Sequence, residues 1–203
     1  LIFFSVSCQN RSKIQLNNSK FYKVQSNKLV HLKSMKRKPL DLIVNLNSCS
    51  FGQLNGTAFY IDALPKTHKF LLQNHSFKNI NSPNKHKIID VKSEHLVNSI
   101  ILKNLIFSNI SFENSLFSFL NNKCICFINC TYLNMFNRNV YEKTHKVESI
   151  EFTNCTFGNN HALFYGGALS LGVSNRFLLN NCTFFNNIVD SSFEKHQSKG
   201  GAI

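Results

Sequence analysis

An all-β fold, a right-handed parallel β-helix, is predicted for these 203 residues from three observations. A ten-residue pattern recurs along the chain, apolar residues alternate with period two inside each copy, and many of the 29 asparagines occupy fixed places in the pattern. Strands point successive side chains to opposite faces, so alternation means strand. Helical repeats would need 3.6-residue periodicity and strong helix formers, and the Asn, Phe, Ile, Ser and Thr richness runs the other way.

The pattern reads apolar, x, apolar, x, Asn, small or apolar, Ser or Thr, aromatic, x, Asn. Residues 1–40 form an N-terminal edge with a degenerate first copy (Ile14, Leu16, Asn18, Phe21) and a basic loop from Lys33 to Lys38 before Pro39. Residues 41–203 carry the β-helix repeats, whose corners are Ser48, Asn74, Asn109, Asn129, Asn154 and Asn181. Four residues before these stand Val44, Phe70, Leu105, Ile125, Ile150 and Phe177; two before stand Leu46, Leu72, Phe107, Phe127, Phe152 and Leu179. The aromatics that follow are Phe51, Phe77, Phe112, Tyr132, Phe157 and Phe184. A further Asn closes five copies: Asn79, Asn114, Asn134, Asn159 and Asn186.

Each copy implies strand, corner, strand. After the corner the alternation slips by one residue, which would flip every side chain to the other face unless the chain bends there. Asparagine tolerates left-handed backbone and supplies the bend. Corner spacings, counted from Asn18, are 30, 26, 35, 20, 25 and 27 residues, suited to coils of two or three short strands. Coils stacked at about 4.8 Å give roughly seven turns, on the order of 35 Å long. Right-handedness follows from the general preference of parallel crossovers. Stacked corner amides, turned inward, would hydrogen-bond as a ladder through Asn74, Asn109, Asn129, Asn154 and Asn181. The same five read formally as glycosylation sequons, and Asn10, Asn17 and Asn55 are the better sugar acceptors.

Phe157-Gly158-Asn159-Asn160 and Phe184-Phe185-Asn186-Asn187 match Phe-x-x-Asn, and Gly166-Gly167-Ala168-Leu169 and Gly200-Gly201-Ala202-Ile203 match Gly-Gly-Ala-Ile/Leu/Val. Over residues 150–203 these motifs resemble the repeat of the chlamydial polymorphic outer-membrane proteins and related β-helix proteins. The resemblance implies a pectin-lyase-like solenoid used for adhesion or display, with Gly166, Gly167, Gly200 and Gly201 as structural glycines. The last motif breaks off at Ile203, so a fragment of a longer solenoid is expected.

Composition limits the function classes. At 43% hydrophobic and 16% charged, against about a quarter in average chains, wholesale disorder and charged coiled coils are excluded. The net charge of +13 comes from 19 Lys and 4 Arg scattered along the chain, without the Arg clustering of nucleic-acid readers. No nucleic-acid partner is expected. No apolar run reaches the ~18 to 20 residues of a membrane-spanning helix, so any anchor is expected outside this segment.

Chemistry-bearing residues are sparse. Cys130, Cys155 and Cys182 share an inward position and read as small buried hydrophobes, with a disulfide between neighbouring coils the open alternative. Cys124-x-Cys126-x3-Cys130 is not a zinc spacing, and Cys126 faces outward while Cys130 faces inward, so no metal site is expected. His75 is read as a core histidine, and His145, His161 and His196 as loop residues without partners. A polysaccharide lyase or hydrolase on this fold would need clustered carboxylates. The aspartates Asp41, Asp62, Asp90 and Asp190 are dispersed, and Glu148 with Glu151 is the sole close acidic pair.

An apolar stripe is expected at outward positions Leu71, Ile106, Cys126 and Leu178, where alternation calls for polar residues. The expected function is therefore non-catalytic: an adhesin-like or display protein, extracellular or on the cell surface (outer membrane if bacterial, plasma membrane if eukaryotic). A protein or glycan is the expected ligand and no cofactor is implied. The alternative is a carbohydrate-active enzyme.

Overall fold

The computed structural model describes residues 11–17, 20–22, 25–33, 40–47, 50–52, 55–62, 67–82, 88–92, 97–112, 116–137, 144–163, 166–169 and 174–190. These form strands β1 (Arg11–Asn17), β2 (Lys20–Tyr22), β3 (Gln25–Lys33), β4 (Leu40–Asn47), β5 (Ser50–Gly52) and β6 (Asn55–Asp62). Strands β7 (Thr67–Ser82), β8 (Ile89–Lys92), β9 (Val97–Phe112), β10 (Phe117–Ile128), β11 (Thr131–Asn137) and β12 (Thr144–Thr153) follow. Short elements end the series: β13 (Thr156–Gly158), β14 (His161–Ala162), β15 (Ser174–Asn180), β16 (Thr183–Phe185) and β17 (Ile188–Val189). Among the described residues there is no helix.

The strands pair in parallel across coils, and the chain is a parallel β-helix. One column stacks β1, β4, β7, β9, β10, β12 and β15. Around the corner a short side stacks β11, β13 and β16, and a third stacks the end of β11 on β14 and β17.

Two asparagine corners, not one, turn each of the five coils from Asn74 onward. Asn74, Asn104, Asn129, Asn154 and Asn181 have φ between 51° and 59°, and Asn79, Asn109, Asn134, Asn159 and Asn186 between 50° and 54°. Both sets sit in left-handed backbone, where a short polar side chain lowers the cost. The four residues between them form the short side. The first ladder runs Asn181 Nδ2 to Asn154 Oδ1 (2.9 Å), Asn154 to Asn129 (3.3 Å), Asn129 to Asn104 (3.1 Å) and Asn104 to Asn74 (2.8 Å).

Asn109 therefore does not belong to the ladder expected for it. It stands in the second, donating to Asn79 at 3.1 Å and accepting from Asn134 at 3.0 Å. Asn104 takes the first corner, because Ile100 and Leu102 pair with Ile125 and Phe127 and Phe107 pairs with Tyr132. The 35- and 20-residue coils become 30 and 25. The ladder amides are also exposed rather than inward.

In the last two described coils the residue just after the second corner is an amide turned inward. Asn160, 1% exposed, donates to Tyr132 O (3.2 Å) and Asn187 Oδ1 (2.9 Å) and accepts from Met135 N (3.1 Å). Asn187 donates to Phe157 O at 3.0 Å. These bonds satisfy backbone groups that the bend takes out of the strand ladder.

Inside, like stacks on like. Phe77, Phe107, Tyr132, Phe157 and Phe184 form a column with centroids 5.0, 5.0, 4.7 and 4.9 Å apart and planes within 7°. Phe127 and Phe152 stack beside it at 4.4 Å. Each fully buried Phe contributes roughly 1.5–3 kcal/mol of apolar transfer. The alignment also slips in β4: Leu42 and Val44 face Phe70 and Leu72, two residues off the gap-free repeat, before Phe51 meets Phe77 in register. Gly166 has φ 50°, a backbone that favours glycine, and Gly166 to Leu169 are buried; Gly200 and Gly201 lie outside the described residues.

Candidate functional site

Stacking turns the outer face of the first column into a grid. One row reads Leu71, Ile101, Cys126, Glu151, Leu178; the row before it reads Lys69, Ser99, Cys124, Ser149, Arg176. Three of the four residues expected to share a stripe, Leu71, Cys126 and Leu178, stand in line. Ile106 does not: the Asn104 corner carries it onto the short side between Ser76 and Thr131, where it is 42% exposed. Ile101 takes its place in the row, and Glu151 interrupts the row before Leu178.

Larger apolar exposure lies on the other sides of the coils. Phe136, His161 and Ile188 stack outward on the third side, with Phe136 45% and Ile188 58% exposed. The tip of the Phe185 ring sits over Gly158, its partner in register, so that a methyl group at Gly158 would collide with Phe185 Cζ. The ring is itself 40% exposed.

His161 lies in β14 and has a partner, contrary to its reading as a lone loop residue. Its Nε2 is 3.7 Å from Asp190 Oδ2, and its ring meets Phe136 edge-on at 5.0 Å. The pair sits in a cleft of about 510 Å³ with Asn159, Asn160, Asn186 and Ile188. Both side chains are about one-third exposed, so solvent screens their attraction. The signal was coil arithmetic: Asn159 and Asn186 are 27 residues apart, which brings Asp190 beside the strand of His161. His145 also lies in a strand, β12.

The five described cysteines are free thiols divided between two faces. Cys130, Cys155 and Cys182 point inward, and each donates to the carbonyl of a residue in the coil below (Leu102, Phe127 and Phe152) at 3.4 to 3.5 Å. Burial holds the Cys130 thiol well above its ordinary range. Cys124 and Cys126 point outward from β10 with their sulfurs 3.0 Å apart. Burial, reinforced by Cys124 and Glu151, pushes Cys126 up to about 12, so it is no nucleophile at neutral pH.

No family model, curated protein or solved structure matches this chain. Among the described residues no helix is long and apolar enough to cross a membrane.

Proposed function

We propose that this chain is a non-catalytic display module, secreted or held at a cell surface, whose outer sides bind a protein partner in the manner of an adhesin. The observation that carries the reading is the exposure of large apolar side chains on two neighbouring sides: Phe136 and Ile188 on either side of His161, which pairs with Asp190, and Phe185 on the short side. A rigid scaffold presenting aromatics beside polar groups has the character of a protein-contact surface. The Phe-x-x-Asn and Gly-Gly-Ala motifs support the finer reading, a relative of the polymorphic outer-membrane proteins.

Antibody labelling of intact cells, and binding of purified protein to surface and matrix proteins with a glycan panel alongside, test it. Surface labelling is expected, with one protein ligand whose binding drops about tenfold or more in Phe136→Ser/Ile188→Ser while thermal stability holds. Purely intracellular labelling, or binding indifferent to that change, would remove the reading.

A second reading, a carbohydrate-active enzyme, draws on the His161–Asp190 cleft. Turnover of uronic-acid polymers that survives purification and vanishes in Asp190→Asn would put it first.

A further inference from the structure

We propose that Cys124, Cys126 and Glu151 form a binding site for a borderline-soft divalent cation, zinc in the first instance, on the outer face of the first strand column. Cys-x-Cys on a strand sends both side chains to one face, and Ile125 between them is buried inward. Glu151 faces Cys126 directly across the coil boundary in register. The two sulfurs and a carboxylate oxygen all lie within 4.8 Å of one another.

A tetrahedral zinc ion with bonds of about 2.3 Å to sulfur and about 2.0–2.2 Å to oxygen holds two sulfurs about 3.8 Å apart. The pair, now at 3.0 Å, must part by about 0.8 Å to reach that spacing. Three protein donors leave one position for water, and Ser99 and Ser149 flank Cys124 in register beside it. All three donors are partly exposed, so an ion has a way in. The inward cysteines differ in kind: they stand one per coil and donate to backbone carbonyls. Two thiolates with one carboxylate suit zinc, cobalt or cadmium better than calcium or magnesium, which take oxygen donors.

The test uses the full chain, reduced, stripped of metal and titrated with Co²⁺ and then Zn²⁺. The expected result is a thiolate-to-cobalt charge-transfer band that saturates at one ion per chain and is displaced by zinc. Cys124→Ser and Cys126→Ser should each abolish it, Glu151→Gln should weaken binding about tenfold or more, and Cys182→Ser should leave it unchanged. Circular dichroism checks that the variants keep their β-structure. No band, or a band that survives both serine variants, overturns the site. A Cys124–Cys126 disulfide that dioxygen, taking up the two electrons and two protons, forms in the reduced chain even with zinc in excess, read by peptide mass, overturns it in favour of a redox pair.

Discussion

His75 occupies an inward position that other coils fill with Leu105, Cys130 or Cys155, and it is 4% exposed with its ring edge-on to Phe77 at 4.5 Å. Burial lowers its pKa from 6.5 to about 3. Because the folded value lies below the unfolded one, the unfolded chain binds the proton first. Stability from this residue is complete above about pH 6.5 and is lost as pH falls toward 3, on the order of 1.4 kcal/mol per pH unit. His75→Leu, matching Leu105 in the next coil, should flatten that part of the pH profile. Urea midpoints of both proteins between pH 7 and pH 3.5 check it, and parallel profiles would show that His75 does not contribute. At this scale alternation was a dependable guide: the inward His75, Cys130, Cys155 and Phe157 are all buried. Alternation carries no information about a neighbour one coil away, so the closeness of Glu151 to Cys126 and of Asp190 to His161 emerged only with register.

The unit that builds this fold is the pair of corners, and its energetics separate into backbone and ladder. Asn129 holds φ 52° and is bonded on both sides, accepting from Asn154 and donating to Asn104. Asn129→Ala loses both bonds and keeps the left-handed backbone, a cost of about 3 kcal/mol if each bond is worth about 1 and the strain about 1. Asn129→Gly removes the bonds but relieves the strain, so it should cost less than Ala. Chemical denaturation of the two variants measures the order; equal losses would mean that the bonds alone matter. The corner was legible because Asn and the phase slip coincide at Asn74, Asn129, Asn154 and Asn181. At residues 104–109 it was misread for a chemical reason. Asn104-Leu105-Ile106-Phe107 lacks the hydroxyl of the repeat, while Asn109-Ile110-Ser111-Phe112 carries the whole pattern one corner too late. Two five-residue-spaced asparagines per coil make such a slip easy, and strand pairing resolves it.

At the scale of the whole molecule, a solenoid has only nearest-neighbour contacts, so a lesion stays local where a globular core would share it. The parallel β-helix could be read from sequence because every coil repeats the same argument. The outer surface could not, since it depends on which residues the coil length brings side by side. The aromatic column offers the sharpest test of this one-dimensional character. Tyr132, 1% exposed, stacks between Phe107 and Phe157. Tyr132→Ala leaves a void between two rings and should cost about 3–5 kcal/mol, by analogy with other large aromatic truncations. In a solenoid that loss should speed amide hydrogen exchange in β9, β11 and β13, which flank the void, while exchange in β4 and the first half of β7 changes little. In a fold with one shared core, protection would fall together everywhere. Residue-resolved exchange on the wild type and the variant distinguishes the two, and a uniform loss would mean that the coils unfold as a single cooperative unit.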